Sequence, residues 1–180
     1  SKTTMSALRL INETEITSSV ESINITDVFS ADFDIYKITA SDISTTGTDP
    51  TGLDLRFINS SGSVITTNYD YAFLNMQANA VYTEIRATNS DSFDNFVGIA
   101  DQSPETIGCV AYFFNPYSSN SYTFAIHQIS GTNTGSSKNY KGIGVLKQTA
   151  TISGFQVLTT ESRAFNSGFI RTYGLRVDNG

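Results

Sequence analysis

In Leu53-Asp54-Leu55-Arg56-Phe57 apolar and charged residues alternate without a break, so Leu53, Leu55 and Phe57 share one face and Asp54 and Arg56 the other. A repeat of two belongs to a half-buried strand, whereas a helix would repeat every 3.6 residues. The polar run Asn59-Ser60-Ser61-Gly62 follows, and then Ser63-Val64-Ile65-Thr66-Thr67, which is rich in β-branched residues. Turn formers ending in glycine between two such runs predict a β-hairpin.

The same pattern extends in both directions. Asp34-Ile35-Tyr36-Lys37-Ile38-Thr39-Ala40 is short, β-branched and aromatic, and bounded by turn residues. Strands are predicted near 7–11, 16–26, 34–41, 53–58, 63–67 and 69–76, and again near 81–87, 107–114, 121–130, 140–150, 152–158 and 168–177. Gly, Pro, Asn and Ser separate them, as in Thr46-Gly47-Thr48-Asp49-Pro50, in Asn115 to Asn120 and in Gly131 to Ser137. The best helix candidate, Tyr69 to Ala80, fits a strand at least as well. A dozen short strands without a convincing helix predict an all-β sandwich or barrel. The expected core is Ile35, Ile38, Leu53, Leu55, Phe57 and Val110, continued by Tyr112, Phe124, Ile126, Phe155, Val157 and Ile170, with Cys109 beside them. Ile35 and Ile38 have opposite parity, so one of them faces outward unless a bulge intervenes or both faces are covered.

Composition narrows the function. A chain of 180 residues suits one domain. Its formal net charge of −6 argues against nucleic-acid binding, which needs a basic face to displace counterions from phosphates. Twelve Phe and nine Tyr in a charge-poor chain argue against disorder. No apolar stretch approaches the roughly 18 residues of a membrane-spanning helix, so membrane insertion is not expected. One cysteine permits neither an internal disulfide nor a Cys-cluster zinc site.

The residues that could carry chemistry are sparse. The sole histidine, His127, shares a strand face with Thr123, Ala125 and Ile129, opposite Phe124, Ile126 and Gln128, and reads as a surface or strand-packed imidazole. Gly142-Ile143-Gly144 lacks the following helix of a phosphate-binding turn and marks instead a strand approached by a bulky residue, or a bend. Asp32 and Asp34, which would share a strand face, could with Asp27 hold a hard cation such as calcium, but the spacing lacks the glycine and acids of an EF-hand loop. Asp91 and Asp94 are the other close acids; a paired-carboxylate glycosidase site would draw on distant strands. Cys109 sits in an apolar strand and is expected to be buried and inert. No catalytic, cofactor-binding or metal-holding residue is assigned, and the chain is expected not to be an enzyme.

Three segments together resemble small virion structural proteins of tailed bacteriophages, particularly of marine and cyanobacterial phages. The first is Asp32-Phe33-Asp34-Ile35-Tyr36-Lys37-Ile38, with the loop Thr46 to Gly52 and the strand Leu53 to Phe57. The second is Ile107-Gly108-Cys109-Val110-Ala111-Tyr112-Phe113-Phe114-Asn115-Pro116. The third is the pair Thr151 to Val157 and Asn166-Ser167-Gly168-Phe169-Ile170-Arg171-Thr172-Tyr173-Gly174-Leu175. The chain departs from the family where Asp32-Phe33-Asp34 stands in place of the commoner Tyr-Asp.

The resemblance implies an all-β, jelly-roll-like two-sheet β-sandwich on the exterior of a virion, decorating or cementing the capsid or forming a short fibre knob. Its implied partners are copies of itself, as a homotrimer, together with the major capsid or other virion proteins. The alternative is a tail-fibre tip or carbohydrate-binding module that recognises a host-surface glycan; such modules often use Trp platforms, and this chain has no Trp. Residues 1–14 are read as an N-terminal docking arm with assembly contacts at Leu8, Leu10 and Ile11, and residues 15–180 as the single sandwich domain. An edge poor in lysine guards also favours assembly.

Overall fold

The computed structural model describes residues 7–47, 50–79, 82–101, 103–133 and 136–175. Twelve strands follow one another: β1 (Leu8–Ile16), β2 (Ser22–Ile25), β3 (Ile35–Thr45), β4 (Thr51–Asn59), β5 (Tyr69–Gln77) and β6 (Thr83–Ser90), then β7 (Phe93–Ala100), β8 (Ile107–Phe114), β9 (Thr123–Asn133), β10 (Ser136–Leu146), β11 (Ile152–Thr159) and β12 (Phe165–Leu175). Among the described residues there is no helix. All pairings are antiparallel. The larger sheet runs β1-β12-β3-β8-β9-β10-β5-β6 and the smaller β2-β11-β4-β7, and the two pack as a sandwich.

The chain passes from one sheet to the other at almost every step. Three steps break that rule, β5 to β6, β8 to β9 and β9 to β10, and the hairpins β5–β6 and β9–β10 both add to the same end of the larger sheet. That end therefore extends past the smaller sheet, whose edge strand β7 packs beneath β8 and β9.

Aromatic rings fill the space between the sheets. Phe57 lies edge-on to Phe113 with centroids 5.1 Å apart, and Phe93 stacks on Phe96 at 5.2 Å. Such pairs add to the large area each ring removes from water. The glycines of β10 serve this packing. A Cβ on Gly142 would stand 2.4 Å from Phe73 Cβ and 2.5 Å from His127 Nε2, and one on Gly144 would stand 2.6 Å from the Phe93 ring. The expectation that bulky groups approach this strand is met.

The hairpin after β4 is looser than its sequence suggests. Only Val64 bridges back to Ile58, and residues 63–67 form no strand of their own. The segment expected at 16–26 is divided between the end of β1 and β2, and β7 was not anticipated at all. Strands β9 and β10 run further into the Gly131 to Ser137 separator than expected.

Of the expected core, Ile38, Leu53, Leu55, Phe57, Cys109, Phe155, Val157 and Ile170 are buried. Ile35 and Tyr112 are half-buried, and Val110, Phe124 and Ile126 are exposed. The physical cause is that β8 and β9 are apolar on both faces. The inward positions hold Cys109, Ala111 and Phe113 on β8 and Ala125, His127 and Ile129 on β9, which sends the alternate set out.

Candidate functional site

Strand register shows what the outward set builds. One row across the larger sheet reads Tyr112, Ile126, Ile143, Ala72 and Arg86, each opposite the next on β8, β9, β10, β5 and β6. The row beside it reads Val110, Gln128, Lys141, Leu74 and Glu84. On the other side Phe114, Phe124 and Val145 lead to Asp70. Ile143 is 61% exposed, Phe124 48% and Ile126 43%, values far above those of a core.

Two hollows of about 670 and 770 Å³ lie side by side on this face and share Ala72, Arg86, Ile126 and Ile143 among their walls. Five strands by five residues give roughly 24 Å by 17 Å, about 400 Å² of mainly apolar surface at ordinary sheet spacings. A monomer's largest apolar patch is typically about 300–600 Å² and is often functional. The charges at its rim are of both signs. Arg86, Glu84 and Lys141 are exposed and form no ion pair among the described residues, while Asp70 is held by Lys147 at 2.9 Å.

A second cluster is polar. The β4–β7 register slips between Leu53 and Leu55, so Asp54 stands where the ladder is interrupted. Its Oδ1 accepts the backbone N–H of Asn95 at 2.8 Å, and Asn95 has φ 52°. The Ser92 hydroxyl lies 2.8 Å from Asp94 Oδ1 and 3.3 Å from Asp54 Oδ2, and Tyr71 donates to Asp94 Oδ2. Burial, opposed by the Asn95 bond and reinforced by neighbouring Asp94, pushes the Asp54 carboxyl up to about 6. The carboxylate thus replaces ladder bonds that the slip removes and ties β7 to β4.

The other candidates separate. Asp27, Asp32 and Asp34 are exposed in the loop between β2 and β3, so Asp32 and Asp34 do not share a strand face as expected. Among the described residues no group of three His, Cys, Asp or Glu side chains could hold a metal ion. Asp91 pairs with Arg56. Cys109 is buried, and desolvation pushes its thiol up to about 12, the condition of an inert sulfur. His127 is buried between Phe96 and Phe73.

Leu8, Leu10 and Ile11 lie on β1, which pairs with β12 of the same chain, and the expected division at residue 14 falls inside that strand. Leu10 is exposed, and Leu8 and Ile11 are half-buried. Sequence reading missed the outer-face residues Leu74, Glu84, Arg86 and Ile143. The signal was present: a strand apolar on both sides asks for two covers, and the smaller sheet supplies one.

Comparison with protein-family models, with curated proteins and with solved structures finds no match.

Proposed function

We propose that this chain is a non-enzymatic bacteriophage virion surface protein that decorates or cements the capsid through multimeric contacts of its β-sandwich. The observation that carries the reading is the broad apolar outer face of the larger sheet. Water-exposed apolar area of this extent is a standing cost that a partner removes. The phage setting comes from the motif resemblance in β3, β4, β8, β11 and β12.

Topology supports the finer jelly-roll reading. With the hairpins β5–β6 and β9–β10 set aside, the remaining eight strands form two four-stranded sheets, in the orders β1-β12-β3-β8 and β2-β11-β4-β7, and change sheet at every step except from β4 to β7. In such an architecture the loops and outer faces are free to adapt to neighbours while the core stays fixed. Asp54 and Asp94, both within reach of the Ser92 hydroxyl, have a structural task in joining β4 to β7, which favours adhesion over hydrolysis.

An antibody against the purified chain, applied to particles of the phage that encodes it, tests the reading by electron microscopy. Label on the head exterior is expected. Label confined to the tail tip, with binding on a glycan array, would move the protein to the fibre-tip class. Particles without label would overturn the virion assignment.

A further inference from the structure

The outer face of the larger sheet carries matched features two residues apart on two adjacent strands. On β6, Arg86 and Glu84 point outward, exposed and without an ion-pair partner among the described residues. On β5, the outward pair is the small Ala72 and the large Leu74. A two-fold axis lying in the face, perpendicular to the strands and midway between the two rows, lays each row of one copy over the other row of its mate. Arg86 then meets the mate's Glu84, and Glu84 its Arg86. Leu74 drops over the mate's Ala72, and the aliphatic stem of Lys141 covers Ile143.

We propose that this face is an isologous interface with a second copy of the same chain. One symmetry element satisfies a charge pair and a knob-and-hollow pair at once, as self-complementary contacts require. Aligned sheet-on-sheet packing, with strand directions within about 30°, is the ordinary way to join two such faces. The face of about 400 Å² falls short of the roughly 800 Å² per partner in a stable complex, and the rows beyond it and β3 supply the remainder. Edge-to-edge growth is the competing route. It is hindered at β1, whose pairing slips between Leu10 and Asn12 and which carries Arg9, Glu13 and Glu15.

The inference rests on the self-assembling part of the proposed function and not on its virion setting. Sedimentation of the purified chain over the micromolar range is expected to show a dimer. Ile143→Asp should leave monomer. Arg86→Glu and Glu84→Arg should each weaken the dimer about tenfold by setting like charges together. Mixing those two single variants should restore dimer, because each then meets its opposite. These side chains are exposed, so far-ultraviolet circular dichroism should match wild type.

A wild type monomeric throughout, a dimer indifferent to Ile143→Asp, or a mixture without rescue would overturn the assignment. A monomer that still coats particles would sink the dimer and leave the virion reading standing. A dimer with no place on particles would do the reverse.

Discussion

The imidazole of His127 lies flat on the ring of Phe96, with centroids 4.3 Å apart and planes inclined by 7°. Its Nδ1 is 2.8 Å from the Phe96 carbonyl oxygen. A carbonyl only accepts, so Nδ1 carries the proton and the ring joins β9 to β7 as a neutral donor. Burial pushes its pKa down to about 4.

That relationship opposes the one at Asp54, and the two predict a cancellation. Between pH 6.5 and 4 an unfolded His127 binds a proton that the folded chain refuses, so acidification destabilises. Asp54 binds its proton at about 6 when folded and only near 3.8 when unfolded, so acidification over the same span stabilises. Each effect alone is of order 3 kcal/mol. Relative to wild type, His127→Asn should gain stability from pH 6.5 to 4, and Asp54→Asn should lose it. Urea midpoints at several pH values check this, and two variant curves parallel to wild type would refute it.

Phe57 and Phe124 should separate core from face. Phe57 is fully buried against Tyr69, Phe93 and Phe113, and its change to Ala should cost about 3–5 kcal/mol. Phe124 is half exposed on the outer face, so Phe124→Ala should cost less than about 1 kcal/mol. Its effect should appear in self-association instead. Equal melting losses would return Phe124 to the core.

The contrast shows what was legible in the sequence. Leu53, Leu55 and Phe57 alternate with Asp54 and Arg56, so parity alone oriented β4. In β8 and β9 both parities are apolar, and choosing Val110, Phe124 and Ile126 as core picked the wrong side. Nothing local distinguishes the faces there; what does is the Phe96 ring of β7, packed against His127 from the other sheet. Strand β7 itself was missed for a related reason. Asn95 and Gly98 both have positive φ, and the irregular backbone they create has no clean alternation to read. The apolar outer face was missed through the same parity error, and the acid cluster through a register slip that only pairing reveals.

Tyr69 offers a sharper test of polar satisfaction. Its buried hydroxyl accepts the Phe57 N–H at 2.8 Å and donates to the Ile65 carbonyl at 3.0 Å, holding the segment after β4 against the core. Burial raises its pKa far above the ordinary phenol value, so it stays protonated at any working pH. Tyr69→Phe keeps the ring and leaves two backbone groups unpaired, each costing about 1–3 kcal/mol. A urea midpoint unchanged from wild type would mean that water or a shifted backbone replaces both bonds.

The first strand decides between a docking arm and an integral edge. Positions from Leu8 to Ile16 pair with Leu175 back to Gly168 on β12, and Glu13 forms an ion pair with Arg171. Leu10 is 51% exposed, whereas Ile16 is 6% exposed and belongs to the core. If β1 is integral, removing residues 1–16 strips one side of β12 of its hydrogen-bond partners and exposes a long ladder edge. The truncated chain should then melt lower and aggregate. Point variants give the finer test: Leu10→Asp should melt with wild type, because its side chain is already in water, while Ile16→Asp buries a carboxylate without a partner and should be severely destabilising. If the truncated chain instead melts with the full-length protein and stays monodisperse, β1 contributes little to the sandwich. Residues up to Ile16 would then be free to act between subunits, as the sequence first suggested for Leu8, Leu10 and Ile11.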